Sequence, residues 1–196
     1  MAEAILNELG AVNQMLLTIG EQKVNTLEAT GILEVEIAKT TLNEVSRTVQ
    51  GEDWCFNIEH GVRLRPESTG FIMLPQNCTK VWQRPRSRPA VIQRGARLYN
   101  MTDHTYLFES PVEVSMRYFL DFDDLIPSAA HYIALRASRR FQERITGSQV
   151  TEEFLLREEV MARTVLATDD ASIAGYNILT DNQPTRSTVG RDRWMR

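Results

Sequence analysis

Val45-Ser-Arg-Thr-Val-Gln-Gly-Glu-Asp-Trp-Cys-Phe-Asn-Ile-Glu59 is the stretch in which the hydrophobic period of the chain changes. Before Gly51, apolar residues recur at helical spacings of three and four, and the glycine is a natural helix stop. After it, Trp54, Phe56 and Ile58 alternate with less apolar residues, which is the period-two pattern of a strand. The change predicts that a helical segment ends here and that a β segment begins.

Two helices are predicted before this point and two after the β segment. The first ends at Gly20 and the second occupies residues 32–50. The third begins near Pro127, which suits a first helical turn, and ends at Gly147; Thr151 is the predicted N-cap of the fourth. The predicted inward faces are Ile5, Leu9, Val12, Leu16 and Ile19; Ala38, Leu42, Val45 and Val49; Ala130, Ile133, Ala134, Ala137, Phe141 and Ile145; and Leu155, Ala162 and Leu166.

The region between the second and third helices is predicted to be antiparallel β structure. Its clearest strand alternates Val112, Val114, Met116 and Tyr118 with Glu113, Ser115 and Arg117, which should face solvent or a partner. Shorter candidates are residues 54–58, 62–64, 71–74, 81–83, 90–92, 97–101 and 106–108.

The predicted fold is therefore α+β and mainly α. Residues 1–53 and 122–179 form a four-helix bundle, residues 54–121 an inserted small antiparallel β subdomain, and residues 180–196 an extended C-terminal arm. The arm has too little apolar content to build a packed core of its own.

Charge is distributed unevenly along the 196 residues, although the net charge is only −4. Residues 1–59 contain three basic and ten acidic residues, whereas residues 60–102 contain eight basic and one acidic residue. Opposite charges on separate segments can attract each other within a chain or between copies. The overall acidity argues against general nucleic-acid binding. Cys55 and Cys78 lie in apolar stretches, which predicts buried free thiols rather than a disulfide.

No nucleophile elbow, phosphate loop, dinucleotide fingerprint or zinc-protease pair occurs in the chain. Asp121, Asp123 and Asp124 form its densest acidic cluster, and paired carboxylates can hydrolyse glycosides. Acidic residues just before a helix are more commonly caps, so we predict no enzyme, metal site or cofactor. The histidines lie far apart and lack ligand spacing: His60, His104 and His131.

No targeting or membrane segment is expected. Glu3 and Glu8 stand where a secretory signal would need basic residues. The longest apolar run, at residues 71–74, is too short to span a bilayer. We therefore expect the protein to be made and folded in a cytoplasm without a membrane anchor.

The basic loop at residues 84–89 places three arginines at alternate positions between prolines, so an extended backbone would point them to one side. Arginine forks bind carboxylates and phosphates equally well. A solvated loop, a protein interface and a DNA-binding module all remain open for this loop. The candidate interface residues here and in the C-terminal arm are Arg84, Arg86, Arg88, Arg94, Arg97, Arg191, Arg193 and Trp194.

Several stretches resemble, in the same order, landmarks of the tail tubular protein A family of short-tailed bacteriophages. The resemblance spans nearly the whole chain, with residues 66–110 as its least similar part. The stretches are Ala11-Val-Asn-Gln-Met-Leu-Leu-Thr-Ile-Gly-Glu21 with Val24 and Thr26-Leu-Glu28; Trp54, Phe56, Asn57 and Glu59; Ala137-Ser-Arg-Arg-Phe141 with Gly147; and Gly175-Tyr-Asn-Ile-Leu179.

The resemblance implies a structural virion protein of the tail, made in the host cytoplasm. Members of that family form a homo-oligomeric ring of about twelve copies beneath the head portal. The nozzle protein, tail tubular protein B, docks below the ring, and tail fibres attach near that junction. DNA passes through the channel of the ring during ejection without sequence-specific binding. The alternatives from other classes are a glycan hydrolase that uses the acidic cluster and a DNA-binding module that uses the basic loop.

Overall fold

The computed structural model describes residues 6–28, 31–83 and 88–175, which form four α-helices and five β-strands. The helices are α1 (Glu8–Thr18), α2 (Leu33–Gln50), α3 (Pro127–Ile145) and α4 (Gln149–Ile173). The strands are β1 (Ile58–Leu64), β2 (Cys78–Trp82), β3 (Val91–Arg94), β4 (Arg97–Asn100) and β5 (Val112–Tyr118). Two single 3₁₀ turns, Cys55–Asn57 and Phe122–Asp124, stand where the chain enters the β region and where it leaves it.

Helix α3 lies at the centre of the helical part, because α1, α2 and α4 all pack against it. The shared core takes buried side chains from every helix, among them Val12, Leu42, Phe141 and Leu166. Burying one such side chain stabilises a fold by about 1.5 to 3 kcal/mol relative to leaving it in water. The inward face predicted for α2 is confirmed, as are Leu155, Ala162 and Leu166 of α4.

Two predicted core positions are wrong. Leu9 is only half-buried and lies outside the helical core, because α1 turns Ala11 and Met15 inward instead. Ile145 is 42% exposed, since α3 ends there and no element covers its last turn. Ile5, which was predicted to share the α1 stripe, lies outside the described residues.

The predicted helix boundaries are largely confirmed. Pro127 is the first residue of α3. Gly20 and Gly147 follow α1 and α3 with φ angles of 82° and 63°, the left-handed conformation that ends a helix at little cost for glycine. Thr151 is not an N-cap. Helix α4 begins earlier, because the Ser148 side chain caps it by accepting a hydrogen bond from the Thr151 backbone N–H.

The strands form two small antiparallel sheets within the described residues, β1-β5-β2 and β3-β4. Val112, Val114 and Met116 of the central strand β5 point into the core as predicted. Ser115 was expected to face outward, but only 7% of it is exposed. Trp82 lies opposite Ser115 in the register, and His60 Nδ1 lies 2.9 Å from the Ser115 hydroxyl. The two rings therefore cover the serine.

The strand predicted at residues 54–58 is largely a 3₁₀ turn. Its backbone donors do not join a sheet, because the Asp170 Oδ1 atom at the end of α4 accepts hydrogen bonds from the Cys55 and Phe56 N–H groups at 2.8 and 3.1 Å. A side chain 114 residues away thus decides the backbone conformation here, against the local alternation.

Residues 71–74 and 106–108 were also predicted as strands, yet they form only single bridges, Phe71 to Leu107 and Met73 to Arg97. They still contribute to a second hydrophobic core, which includes Ile72 and Phe108 and is separate from the helical one. The presence of two separate hydrophobic cores agrees with the prediction that the β region is a unit distinct from the helices. The boundaries at residues 54 and 121 remain a prediction.

Buried amides join the helical and β parts where the chain crosses between them. Gln50 donates to the Leu120 carbonyl at 2.9 Å and accepts from the Leu120 N–H at 2.8 Å. Asn57 donates to the carbonyls of Gln50 and Tyr118 at 2.9 and 3.0 Å. These bonds satisfy backbone groups that neither a helix nor a sheet pairs, so they hold the entering and leaving chains side by side.

An exposed ion cluster stands at the same junction. Asp53 accepts a hydrogen bond from Lys80 Nζ at 2.8 Å and pairs with Arg117 at 3.0 Å. Arg117 also donates to the Gly51 carbonyl. The hydrogen bond from Lys80, helped by the charges of Lys80 and Arg117, lowers the pKa of the Asp53 carboxyl.

Asp53→Asn should therefore lower the free energy of unfolding at pH 7 by less than about 1 kcal/mol, since the Asp53 carboxylate and its partner Lys80 are exposed and screened. A lowered folded-state pKa gives stability above the ordinary carboxyl pKa, and this is lost as pH falls through the folded value. Urea unfolding at pH 7 and pH 3 should show the wild-type advantage shrinking at pH 3. A constant difference would contradict the linkage. Glu67→Gln is the control, since no described residue forms an ion pair with Glu67.

Candidate assembly surfaces

The outward side of the β3-β4 hairpin carries two of the predicted interface arginines. The register pairs Ile92 with Tyr99 and Arg94 with Arg97, and directly opposite residues of antiparallel strands share a face. Val91 and Leu98 on the other side enter the β core. Met73 bridges to Arg97 and, with Phe71, extends the same outward side. We call Phe71, Met73, Ile92, Arg94, Arg97 and Tyr106 the hairpin face. Tyr99 is on the same side of the hairpin but is only 9% exposed.

The arginines of the hairpin face lie over aromatic rings. The Arg94 guanidinium carbon lies 3.6 Å from the Tyr99 ring centroid, and that of Arg97 lies 5.1 Å from the centroid of Phe71. Tyr106 packs edge-on against Tyr99, with centroids 4.9 Å apart. Stacking orients each guanidinium, and no described residue forms an ion pair with Arg94 or Arg97, so their N–H edges can meet a partner. The hairpin face is therefore an ordered, basic and partly apolar surface.

Of the other six predicted interface residues, one lies within the described residues and five lie outside them. Arg88 is exposed and lines an open groove beside Gln83 and Glu113. Outside the described residues lie Arg84, Arg86, Arg191, Arg193 and Trp194. The structure thus brings Arg94 and Arg97 together and leaves the basic loop and the arm as predictions.

Helix α4 exposes a second apolar stripe that the sequence analysis missed. Val150, Phe154, Met161 and Val165 are 68%, 61%, 69% and 55% exposed. Their spacings of four, seven and four residues place them along one side of the helix, away from the buried Leu155–Leu166 side. The available signal was the excess of apolar residues in α4 over what one buried stripe needs. We call these four residues the α4 face.

An open groove of about 370 Å³ adjoins the α4 face between α1, α3 and α4. Met161, Val165 and Leu135 form much of its wall, with Gln14 on the α1 side. The Ser128 hydroxyl also lines it, and the described residues offer that buried oxygen no hydrogen-bond partner. Apolar walls that stay exposed are typical of a surface that another molecule covers.

The charges around the α4 face are mainly acidic. Glu153, Glu158 and Asp169 are exposed, and no described residue forms an ion pair with them. Arg157 is the one basic residue of α4 that is exposed and forms no ion pair with a described residue. The α4 face therefore presents an apolar stripe with a negative rim.

A charged network fixes α4 on α3 from the inner side. Glu159 is 8% exposed and accepts a hydrogen bond from Arg139 Nε at 2.6 Å, with Arg136 Nε at 3.7 Å. Arg136 also pairs with Glu52 at 3.2 Å, which ties in the turn after α2. The hydrogen bond to Glu159 raises the pKa of the Arg139 guanidinium. Buried pairs of this kind hold a helix in one orientation, so the α4 face has a defined direction.

Comparison with known proteins gives the family. The family model described as tail tubular protein matches residues 9–176 of this chain. The chain belongs to the tail tubular protein family. It is also similar to Tail tubular protein A of Klebsiella phage KP34, with 28% identity over 129 residues that cover 66% of this chain and 68% of that protein. The resemblance found in the sequence motifs is confirmed, and the chain is a structural component of a phage tail.

The acidic cluster of this tail tubular protein has a structural use. The Asp123 carboxylate accepts a hydrogen bond from the Glu8 N–H at 2.8 Å, so it helps Asn7 to cap α1 rather than capping the helix that follows it in the chain. Asp121, Asp123 and Glu8 line an open cleft of about 400 Å³. Among the described residues no group of three histidines, cysteines or acids is placed to hold a metal ion. A structural family agrees with the prediction that the chain is not an enzyme.

Both cysteines are free thiols, as predicted. Cys78 is buried, whereas Cys55 is only half-buried. Burial raises the pKa of both thiols, and the Asp170 carboxylate beside Cys55 adds to the effect there. Neither is therefore an activated nucleophile. None of the helices in the described ranges has the length and apolarity that crossing a membrane requires.

Proposed function

We propose that this tail tubular protein assembles into a closed ring that joins the head portal to the tail nozzle and lines the channel for DNA ejection. The observation that carries the proposal is the α4 face. Its four large apolar side chains stand more than half exposed on a helix held firmly by its other side. Val160 and Ile173 of α4 are also more than half exposed, outside this face. Soluble monomers seldom leave such a stripe uncovered, and a second copy of the chain covers it in a ring.

In this proposal each subunit consists of a four-helix bundle with residues 54–121 as an inserted β subdomain. The resemblance suggests about twelve copies in the ring. It also suggests the portal above, tail tubular protein B below, and tail fibre protein near their junction. The arm at residues 180–196, with Arg191, Arg193 and Trp194, is the part that we expect to dock on the portal.

The proposal is tested by measuring the assembly of the full chain, alone and mixed with its portal. Sedimentation velocity and electron microscopy should show closed rings, either of the chain alone or seated on the portal. Added duplex DNA should leave sedimentation unchanged at physiological salt, whereas a salt-sensitive complex with DNA would favour the DNA-binding alternative. A chain that stays monomeric at high concentration and does not bind the portal would refute the proposal.

A further inference from the structure

We propose that the hairpin face of one copy packs on the α4 face and adjoining groove of the next copy, head to tail. The inference rests on the proposed function, since it assigns the two sides of the contact within the ring. The molecule that fills the groove is, in this proposal, a second copy of this chain.

Charge complementarity is the first argument. Arg94 and Arg97 are exposed on the hairpin face, and residues 90–102 contain no acidic residue. The α4 face is bordered by Glu153, Glu158 and Asp169, none of which forms an ion pair with a described residue. The exposed Arg157 offsets one of these three charges, so the rim stays acidic. A basic surface that meets an acidic rim gains attraction and a defined orientation.

The apolar parts of the two surfaces also match. Ile92 and Met73 are 42% and 45% exposed on the hairpin face, beside the stacked arginines. Met161 and Val165 on the α4 face are 69% and 55% exposed at the mouth of the groove. Contact would remove both apolar sets from water, while the arginine N–H groups stay available to the acidic rim.

Pairing of like surfaces is unfavourable by the same reasoning. Two α4 faces in contact would bring the unpaired carboxylates Glu153, Glu158 and Asp169 of both copies together. Two hairpin faces in contact would place Arg94 and Arg97 of one copy against the same two arginines of the other copy. Like charges across an interface disfavour both symmetric dimers. Only contact between the two different surfaces remains favourable. Such a contact repeats from copy to copy and forms a ring when the rotation between neighbours closes.

The experiment uses one substitution on each surface. Met161→Glu places a charge in the apolar stripe of the α4 face, and Arg94→Glu reverses a charge on the hairpin face. Both positions are exposed, and circular dichroism with thermal melting checks that each variant folds. Each variant alone should lose at least about tenfold in association affinity under the conditions in which the wild-type chain forms rings.

Mixing the variants gives the sharper result. Each copy keeps one intact surface, so an equimolar mixture of Met161→Glu and Arg94→Glu should form dimers and nothing larger. Leu33→Glu is the matched control, because Leu33 is 67% exposed on α2 and outside both surfaces. It should assemble like the wild type. If Met161→Glu does not fold, Glu158→Lys tests the α4 face without altering its apolar residues.

Three outcomes would overturn the inference. They are normal assembly by Arg94→Glu, normal assembly by the α4-face variant, and a mixture that forms no dimers although both variants fold. Any of these, with a wild-type chain that still forms rings, leaves the proposed function standing. A wild-type chain that forms no ring, alone or on its portal, fails the proposed function itself, and the inference falls with it.

Discussion

Leu42→Asp is expected to lower the free energy of unfolding by at least about 3 kcal/mol. Leu42 is 2% exposed in the helical core, so the substitution removes buried apolar surface and introduces a carboxylate without a partner. The new charge would also stand at the wall of the cleft lined by Asp121, Asp123 and Glu8, which adds like-charge repulsion. Urea unfolding followed by circular dichroism measures the loss.

Two control variants separate the causes. Leu42→Asn makes a similar cavity without the charge, so the difference between the two variants isolates the electrostatic part. Leu9→Asp should cost less than about 2 kcal/mol, because Leu9 is half-buried and outside the core. A Leu42→Asp variant with wild-type stability would show that α2 does not pack as described. A Leu9 variant as damaged as the Leu42 variant would contradict the inward face assigned to α1.

Glu159→Ala is the second large effect, with an expected loss of about 2 to 4 kcal/mol in the free energy of unfolding. The substitution removes the carboxylate that Arg139 and Arg136 share at 2.6 and 3.7 Å. Both guanidinium groups are mostly covered, so they would lose their innermost partner without regaining full hydration. Arg136 would keep Glu52 at 3.2 Å, and Arg139 would keep the more distant Glu152 at 3.8 Å. Chemical denaturation at neutral pH measures this loss.

Glu152→Ala is the matched control for the network. Glu152 pairs with the same Arg139 at 3.8 Å, but its side chain is 42% exposed. Its loss should therefore cost less than about 1 kcal/mol. Equal effects of the two substitutions would mean that burial does not strengthen the inner pair. Because Glu159 fixes α4 on α3, we also expect its removal to weaken ring assembly more than removal of Glu152.

Regular periodicity predicted the structure well wherever one side of an element meets the core. The stripe from Ala38 to Val49 is buried as expected, and so are Val112, Val114 and Met116, although Ser115 between them is buried as well. The prediction failed where a distant group competes with the local pattern. Asp170 converts residues 55–57 from an expected strand into a 3₁₀ turn, and the periodicity of a short stretch contains no information about that carboxylate.

The candidate surfaces were also predicted only where they depend on local sequence, and missed where they depend on distant contacts. The sequence predicted Arg94 and Arg97 as candidate interface residues, because the basic segment is visible as composition alone. It did not identify the aromatic rings beneath them. Phe71 lies under Arg97 because Met73, two residues further along, bridges to Arg97 from a segment distant in the chain. It also missed the α4 face, whose apolar residues resemble ordinary core positions until the packing of the helix is known.

The sequence by itself determined the family, the order of helical and β segments, and the residues that end most helices, because these depend on local spacing and backbone preference. Only the tertiary structure decided which apolar stripe of α4 is covered. Helix α4 has apolar residues on more than one side, and α3 can bury only one of them. Burial is a property of what lies opposite, so the exposed stripe from Val150 to Val165 becomes a surface only after the helices have packed.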